Sequence, residues 1–253
     1  MKYLPLIRLL VNRELTLRYK RSVIGIGWTL LNPMLTSFVL WVVFSFAFGN
    51  QLLDGQQYAP YLMAGILLNS FFSQGIVLSA DSVSRNGAIL TKISVPPQVF
   101  VIASTISSLI NFLIGLIPLA IVVKISGQYI AFTFPLVLVV GTFLCFLISG
   151  LGLLIAILFI RFDDTRNIVN VLLMITMYIT PILYPISILS ERMQKFVNLN
   201  PLTSYLDIFR WAFSHNAHPN LGNWIMMASS SFITFILGVY IFKRFWPRMV
   251  VML

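Results

Sequence analysis

The chain has 253 residues and 17 basic against 7 acidic side chains, a net charge of +10, yet only 9% of it is charged and 58% is apolar. With a mean hydropathy of +0.92, it exceeds the roughly 45–50% apolar share of soluble domains, which excludes a water-soluble globular core. A single cysteine, Cys145, excludes an internal disulfide or a cysteine-rich zinc site, and the basic residues form no groove-facing patch that would bind nucleic acid.

At the start of the chain, residues 3–21 interleave Leu6, Ile7, Leu10, Leu15 and Leu17 with Arg8, Arg13, Arg18, Lys20 and Arg21. The spacing predicts an amphipathic interfacial helix on the inner membrane surface, its five basic residues at the lipid headgroups. Six charge-free stretches come after it, at residues 30–49, 58–80, 99–123, 134–160, 168–187 and 222–242. Each is near the 20 or so apolar residues that cross a bilayer, and a charge at mid-depth costs about 2.5–3.5 kcal/mol on insertion scales. The expected fold is therefore an all-α integral membrane protein with six transmembrane helices. The first stretch is too long for a signal-peptide core, so it reads as a retained helix, with Pro33 in its opening turn.

Between the second and third stretches, a short helix is expected over residues 84–93, ended by Pro96 and Pro97. Arg85, Asn86 and Lys92 would face outward from it, while Ile89, Leu90 and Ile93 pack. Pro181 and Pro185 break the fifth stretch, and Asp163 or Asp164 is expected to cap its start. Residues 188–221 carry Leu202, Tyr205, Leu206, Ile208, Phe209, Trp211 and Phe213 with Asp207 and Arg210, a composition suited to helices at or dipping into the outer face. With the N-terminus inside, the inner segments hold 13 basic residues and the outer segments only Lys124, Arg192, Lys195 and Arg210. The asymmetry puts both termini in the cytoplasm. The whole chain, 1–253, reads as one permease domain: interfacial helix and turn (1–29), five spans (30–187), outer segment (188–221), and sixth span with tail (222–253).

The chemistry that is missing narrows the function. Spans without Asp, Glu, Lys or Arg argue against an ion-coupled carrier. His215 and His218 stand in the outer segment without carboxylate or cysteine partners at ligand spacing, which leaves no metal site and no base for an intramembrane protease. No glycine is followed by lysine, so a phosphate loop of the Walker type is absent. The chain is thus expected not to be an enzyme and to hold no cofactor. Uphill transport would draw its energy from another subunit on the cytoplasmic side.

Four blocks then carry a resemblance: RELTLRYKRSVIGIGWTLLNPM (13–34), LTKISVPPQVF (90–100), RFDDTRNIVNVLLMITMYITPILYP (161–185) and NLNPLTSYLDIFR (198–210). In this order they resemble the membrane-spanning permease subunits of type 2 ABC exporters for polysaccharides, including O-antigen, capsule and teichoic acid. One departure is Asp163, where the family often has arginine. The resemblance implies a homodimer in the bacterial inner membrane, bound to two nucleotide-binding ATPase subunits that hold the ATP and Mg. It also implies contact with those ATPases through the N-terminal helix and the inner loop, with Arg85, Asn86, Ile89, Leu90 and Lys92. The outer segment would form short extracytoplasmic gate helices, and the cargo would be a lipid-linked polysaccharide. A drug or other lipid is the alternative cargo; an energy-independent channel or a secondary carrier is the alternative class.

A sugar chain offers flat C–H faces that stack on aromatic rings. Ser37, Trp41, Phe44 and Phe48 fall at i, i+4, i+7 and i+11, on one face of the first span. Tyr178 and Tyr184 flank the proline-broken stretch. These six are the expected lining of the substrate path.

Overall fold

The computed structural model describes residues 3–19, 24–25, 27–48, 58–92, 95–127, 130–214 and 218–250, and all regular structure among them is helical. In chain order the helices are α1 (Leu4–Tyr19), α2 (Gly27–Phe48), α3 (Tyr58–Arg85), α4 (Gly87–Leu90), α5 (Gln98–Ile125), α6 (Leu136–Arg161), α7 (Thr165–Ile179), α8 (Glu191–Asn198), α9 (Pro201–Ser214) and α10 (Leu221–Met249). A 3₁₀ turn occupies Ile186–Ile188. Four helices, α3, α5, α6 and α10, are long and apolar enough to cross a membrane. Together they make this a multi-pass membrane protein.

α3, α5 and α6 pack against one another at the centre, α10 lies along α6, and α2 leans on α3 and α5. The α6–α10 seam is close because glycine faces glycine. A Cβ on Gly150 would come within 2.4 Å of the Thr234 carbonyl oxygen, and one on Gly238 within 2.4 Å of the Gly150 oxygen. Small residues permit this approach where no hydrophobic effect pushes helices together in lipid. α10 runs seven residues past the sixth charge-free stretch, carrying Lys243, Arg244 and Arg248 out of the apolar zone.

α1 departs from the expected clean division into two faces. Leu10 and Val11 are buried against α5, whereas Leu4, Leu9 and Leu17 are exposed beside Arg8 and Arg13. Its apolar residues are split between a protein-facing stripe and the surroundings. Pro33 also sits deeper than expected. Gly25 adopts a φ of 54°, the Gly27 N–H bonds the Ile24 carbonyl at 3.0 Å, and α2 starts six residues before the proline. Pro33 therefore removes a bond from the second turn.

The inner connection is shorter than the expected helix: α3 continues to Arg85, and α4 is a single turn. α9 differs most from a surface helix. Tyr205, Leu206, Ile208, Phe209, Ala212 and Phe213 are all buried, packed among α3, α6 and α10, while α8 buries only Val197. The α5–α6 connection holds the end of α9 in place. The Ala131 N–H donates to the Phe213 carbonyl at 3.0 Å, and the Thr133 hydroxyl donates to the Ala212 carbonyl at 3.2 Å. These bonds satisfy orphaned carbonyls of the last turn.

Candidate functional site

α7 stops at Thr180 because Pro181 cannot supply the next N–H, and its 15 residues cover only about 22 Å of axis. The backbone from Pro181 to Tyr184 is non-helical, yet its four consecutive carbonyls are bonded by side chains. Arg210 Nη1 donates to Pro181 O at 2.9 Å, and Nη2 to Ile182 O and Tyr61 O, both at 3.2 Å. The Tyr58 hydroxyl donates to Leu183 O at 2.6 Å. The Tyr61 hydroxyl lies 3.1 Å from Pro181 O and 3.0 Å from Tyr184 O. The guanidinium also sits 3.4 Å from the Tyr61 ring centroid.

Buried non-helical backbone needs partners for its polar groups from the rest of the protein, and here one buried arginine and two tyrosines supply them. The segment is a fixed break, braced by α3 on one side and α9 on the other. Gly65 makes room for it, since a Cβ there would meet Ile182 Cγ2 at 2.8 Å and Arg210 Nη2 at 3.0 Å. Asn200 Nδ2 adds a bond to Thr180 Oγ1 at 2.9 Å. One turn before Arg210, Asp207 is desolvated by burial, which pushes its carboxyl up to about 6 against the opposing pull of Arg210.

Beside α7 lies an open cavity of about 870 Å³ between α2, α3, α5 and α7. Asn32, Asn69, Gln74, Asn111 and Asn170 bring five carboxamides to its wall, and no Asp, Glu, Lys or Arg is among the described residues that line it. Phe71 and Phe112, stacked at 4.9 Å, contribute to the apolar part of the wall. The arrangement can exchange hydrogen bonds with a neutral ligand and has no ion to offer a charged one.

At the opposite end of α3, charges form a second network. Asp81 pairs with Arg85 at 3.0 Å and with Arg166 at 2.9 Å, and Arg166 reaches Asp163 at 3.5 Å. Arg13 Nη1 donates to Asn86 Oδ1 at 2.8 Å, and Asn86 Nδ2 donates to Ser82 O at 2.7 Å. α1, α3, α4 and the start of α7 are thereby joined at one end of the molecule.

The sequence profile of the ABC-2 type transporter family matches residues 5–214. The chain belongs to that family. Among the relatives of this ABC-2 family member, the O-antigen export system permease protein RfbA of Myxococcus xanthus is 28% identical over 238 residues, 92% of this chain and 89% of the relative. The protein of the same name from Klebsiella pneumoniae is 24% identical over 94% of this chain and 91% of its own. The polysialic acid transport protein KpsM of Escherichia coli is 22% identical over 79% and 78%.

In this ABC-2 family member the residues expected to form sites are dispersed. Of the expected contacts to an ATPase, Arg85 and Lys92 are exposed, Ile89 is half-buried and Leu90 is buried. Asn86, expected to face outward, is instead buried, because both ends of its amide are bonded within the chain. Of the expected path residues, Ser37 is buried, Trp41 is 38% exposed and Tyr178 is 60% exposed. Tyr184 turns its hydroxyl back onto Tyr178 O at 2.9 Å and Ile179 O at 3.3 Å, closing the end of α7. None of these four lines the cavity. The side chains of Phe44, Phe48 and Arg18, and residues Lys20 and Arg21, lie outside the described residues; Arg8 and Arg13 project from α1. Asp164 stands at the start of α7 but makes no capping bond. Its φ of −64° and ψ of −21° are already helical, which turns the carboxylate away from the free N–H groups.

Sequence reasoning missed the arginine brace and the carboxamide wall. Each had a signal: an ionisable Arg210 among the large apolar residues Tyr205, Leu206, Ile208, Phe209, Trp211 and Phe213, and amides recurring inside otherwise apolar spans.

Proposed function

We propose that this chain is the transmembrane subunit of an ATP-driven ABC exporter that moves a lipid-linked polysaccharide across the bacterial inner membrane. The observation that carries this reading is similarity over about nine-tenths of the chain to relatives named for O-antigen export, with the more distant polysialic acid relative in support. The working unit is a homodimer with two nucleotide-binding subunits, which hold the ATP and Mg. Two further crossings come from α2, whose 22 residues span about 33 Å, and from α7 with its braced break. That makes six spans with both termini cytoplasmic, consistent with the bias of basic residues toward the inner segments.

Within this reading Arg85, Asn86, Ile89, Leu90 and Lys92, at the end of α3 and on α4, pass the ATPase stroke to the spans. The Asp81–Arg166 pair carries that stroke to α7. The α1 basic residues meet anionic headgroups, and α8 and α9 form the extracytoplasmic gate. The aromatic face of α2, with Trp41, Phe44 and Phe48 beside Ser37, meets the glycan together with Tyr178 and Tyr184.

Deleting the gene in its host tests the reading. Loss of surface polysaccharide with accumulation of the lipid-linked glycan inside, restored by the wild-type chain, is the expected result. Unchanged surface glycan would refute it. For the coupling loop, reversing Arg85 and Lys92 to glutamate is expected to leave ATPase binding measurable but to reduce export per ATP hydrolysed.

A further inference from the structure

Asn69 is one of the buried polar groups of the central helices without a side-chain partner among the described residues, and it faces the cavity. It is only 8% exposed, it lines the open cavity, and its Oδ1 is buried with no hydrogen-bond partner among the described residues. It lies eleven residues along α3 from Tyr58, about 17 Å by helical rise, which is close to the middle of a hydrocarbon layer of about 30 Å. A buried amide oxygen without a partner is costly anywhere and more so at that depth. Such a group persists when something that comes and goes supplies the missing donor.

The surroundings indicate what supplies it. Gln74 lies on the same helix, and Asn170 faces the cavity from α7 and Asn32 from α2. The described wall carries no formal charge, so a phosphate or an ammonium group would find no counter-ion there. Neutral hydroxyls suit carboxamides, which both donate and accept, and the stacked Phe71–Phe112 pair offers an apolar face beside them. A volume of about 870 Å³ falls within the range of ligand sites rather than of trapped single waters.

We propose that Asn69, with Gln74, Asn170 and Asn32, forms a neutral carboxamide subsite that hydrogen-bonds the hydroxyl groups of the passing sugar chain at mid-membrane. This subsite rests on the polysaccharide reading and adds to it a polar contact separate from the expected aromatic face. The missing partner of Asn69 Oδ1 is a sugar hydroxyl, replaced by water between translocation events.

The test uses the full transporter in the native host. Asn69→Leu, which keeps the volume and removes the amide, is expected to slow appearance of surface glycan about tenfold, the effect of roughly one lost hydrogen bond. Membrane level and co-purification with the ATPase should stay unchanged, and Asn69→Gln should recover part of the rate. A second measurement does not depend on rate. In a Cys145→Ala background, Asn69→Cys is labelled with a small hydrophilic methanethiosulfonate, once with glycan synthesis running and once with its first glycosyltransferase deleted. Labelling several-fold slower when glycan is being made is the expected result. Equal labelling in both states, no labelling in either, or normal export by Asn69→Leu would overturn the subsite while leaving the exporter reading intact. Persistence of surface glycan when the whole chain is deleted would instead remove the exporter reading, and the subsite with it.

Discussion

Arg210 shows how one side chain can hold a break that its own helix does not contain. Its donors reach Pro181 O, Ile182 O and Tyr61 O, so Arg210→Met takes the side-chain donor from Ile182 O and weakens the hold on the other two, and a buried carbonyl left unpaired costs about 1–3 kcal/mol. A thermal melt in detergent is expected to show a loss of at least about 2 kcal/mol. Arg210→Lys should recover little, since a single ammonium cannot reproduce the planar fork. Asp207 gives a pH dependence of defined direction. Burial raises its carboxyl from 3.8 to about 6, so the folded chain binds that proton more tightly than the unfolded one. The contribution favours folding below about pH 4 and is lost as pH rises through about 6. Melting temperature should fall over that interval in the native protein, and Asp207→Asn should flatten the fall.

At the scale of elements, the α6–α10 seam depends on two missing side chains. Gly238→Val places carbon against the Gly150 backbone, which no rotamer change relieves, and overpacking of this kind costs about 1–3 kcal/mol. A drop in melting temperature and in membrane yield is expected, larger than for the same change at Gly127, where a Cβ meets nothing within 4 Å although its φ of 75° brings some strain of its own. Asp81→Asn separates stability from coupling. Its two ion pairs, at 3.0 and 2.9 Å, join partly exposed groups, so stability should change by less than about 1 kcal/mol. Under the proposed exporter function, ATP turnover per exported glycan should nevertheless rise, because α3 and the start of α7 lose their link. The course of these helices was legible where it depended on local chemistry. Charge exclusion located α3, α5, α6 and α10, and Pro181 located the end of α7. The split faces of α1, the early start of α2 and the burial of α9 were not legible, because each depends on which neighbour covers a face.

Across the whole molecule, the sequence alone determined the solvent. Long charge-free runs in a chain that is 58% apolar require hydrocarbon around them, and hydropathy, length and charge are properties of a segment by itself. Proline positions and the bias of basic residues are local in the same sense. Only the tertiary structure decided where the polar groups inside those runs go. Tyr61 O and Arg210 are 149 positions apart in the chain, and Arg13 and Asn86 are 73 apart. The cavity wall draws five amides from four helices. A hydrogen bond depends on two atoms meeting within about 3 Å, and no periodicity in a single segment specifies its distant partner.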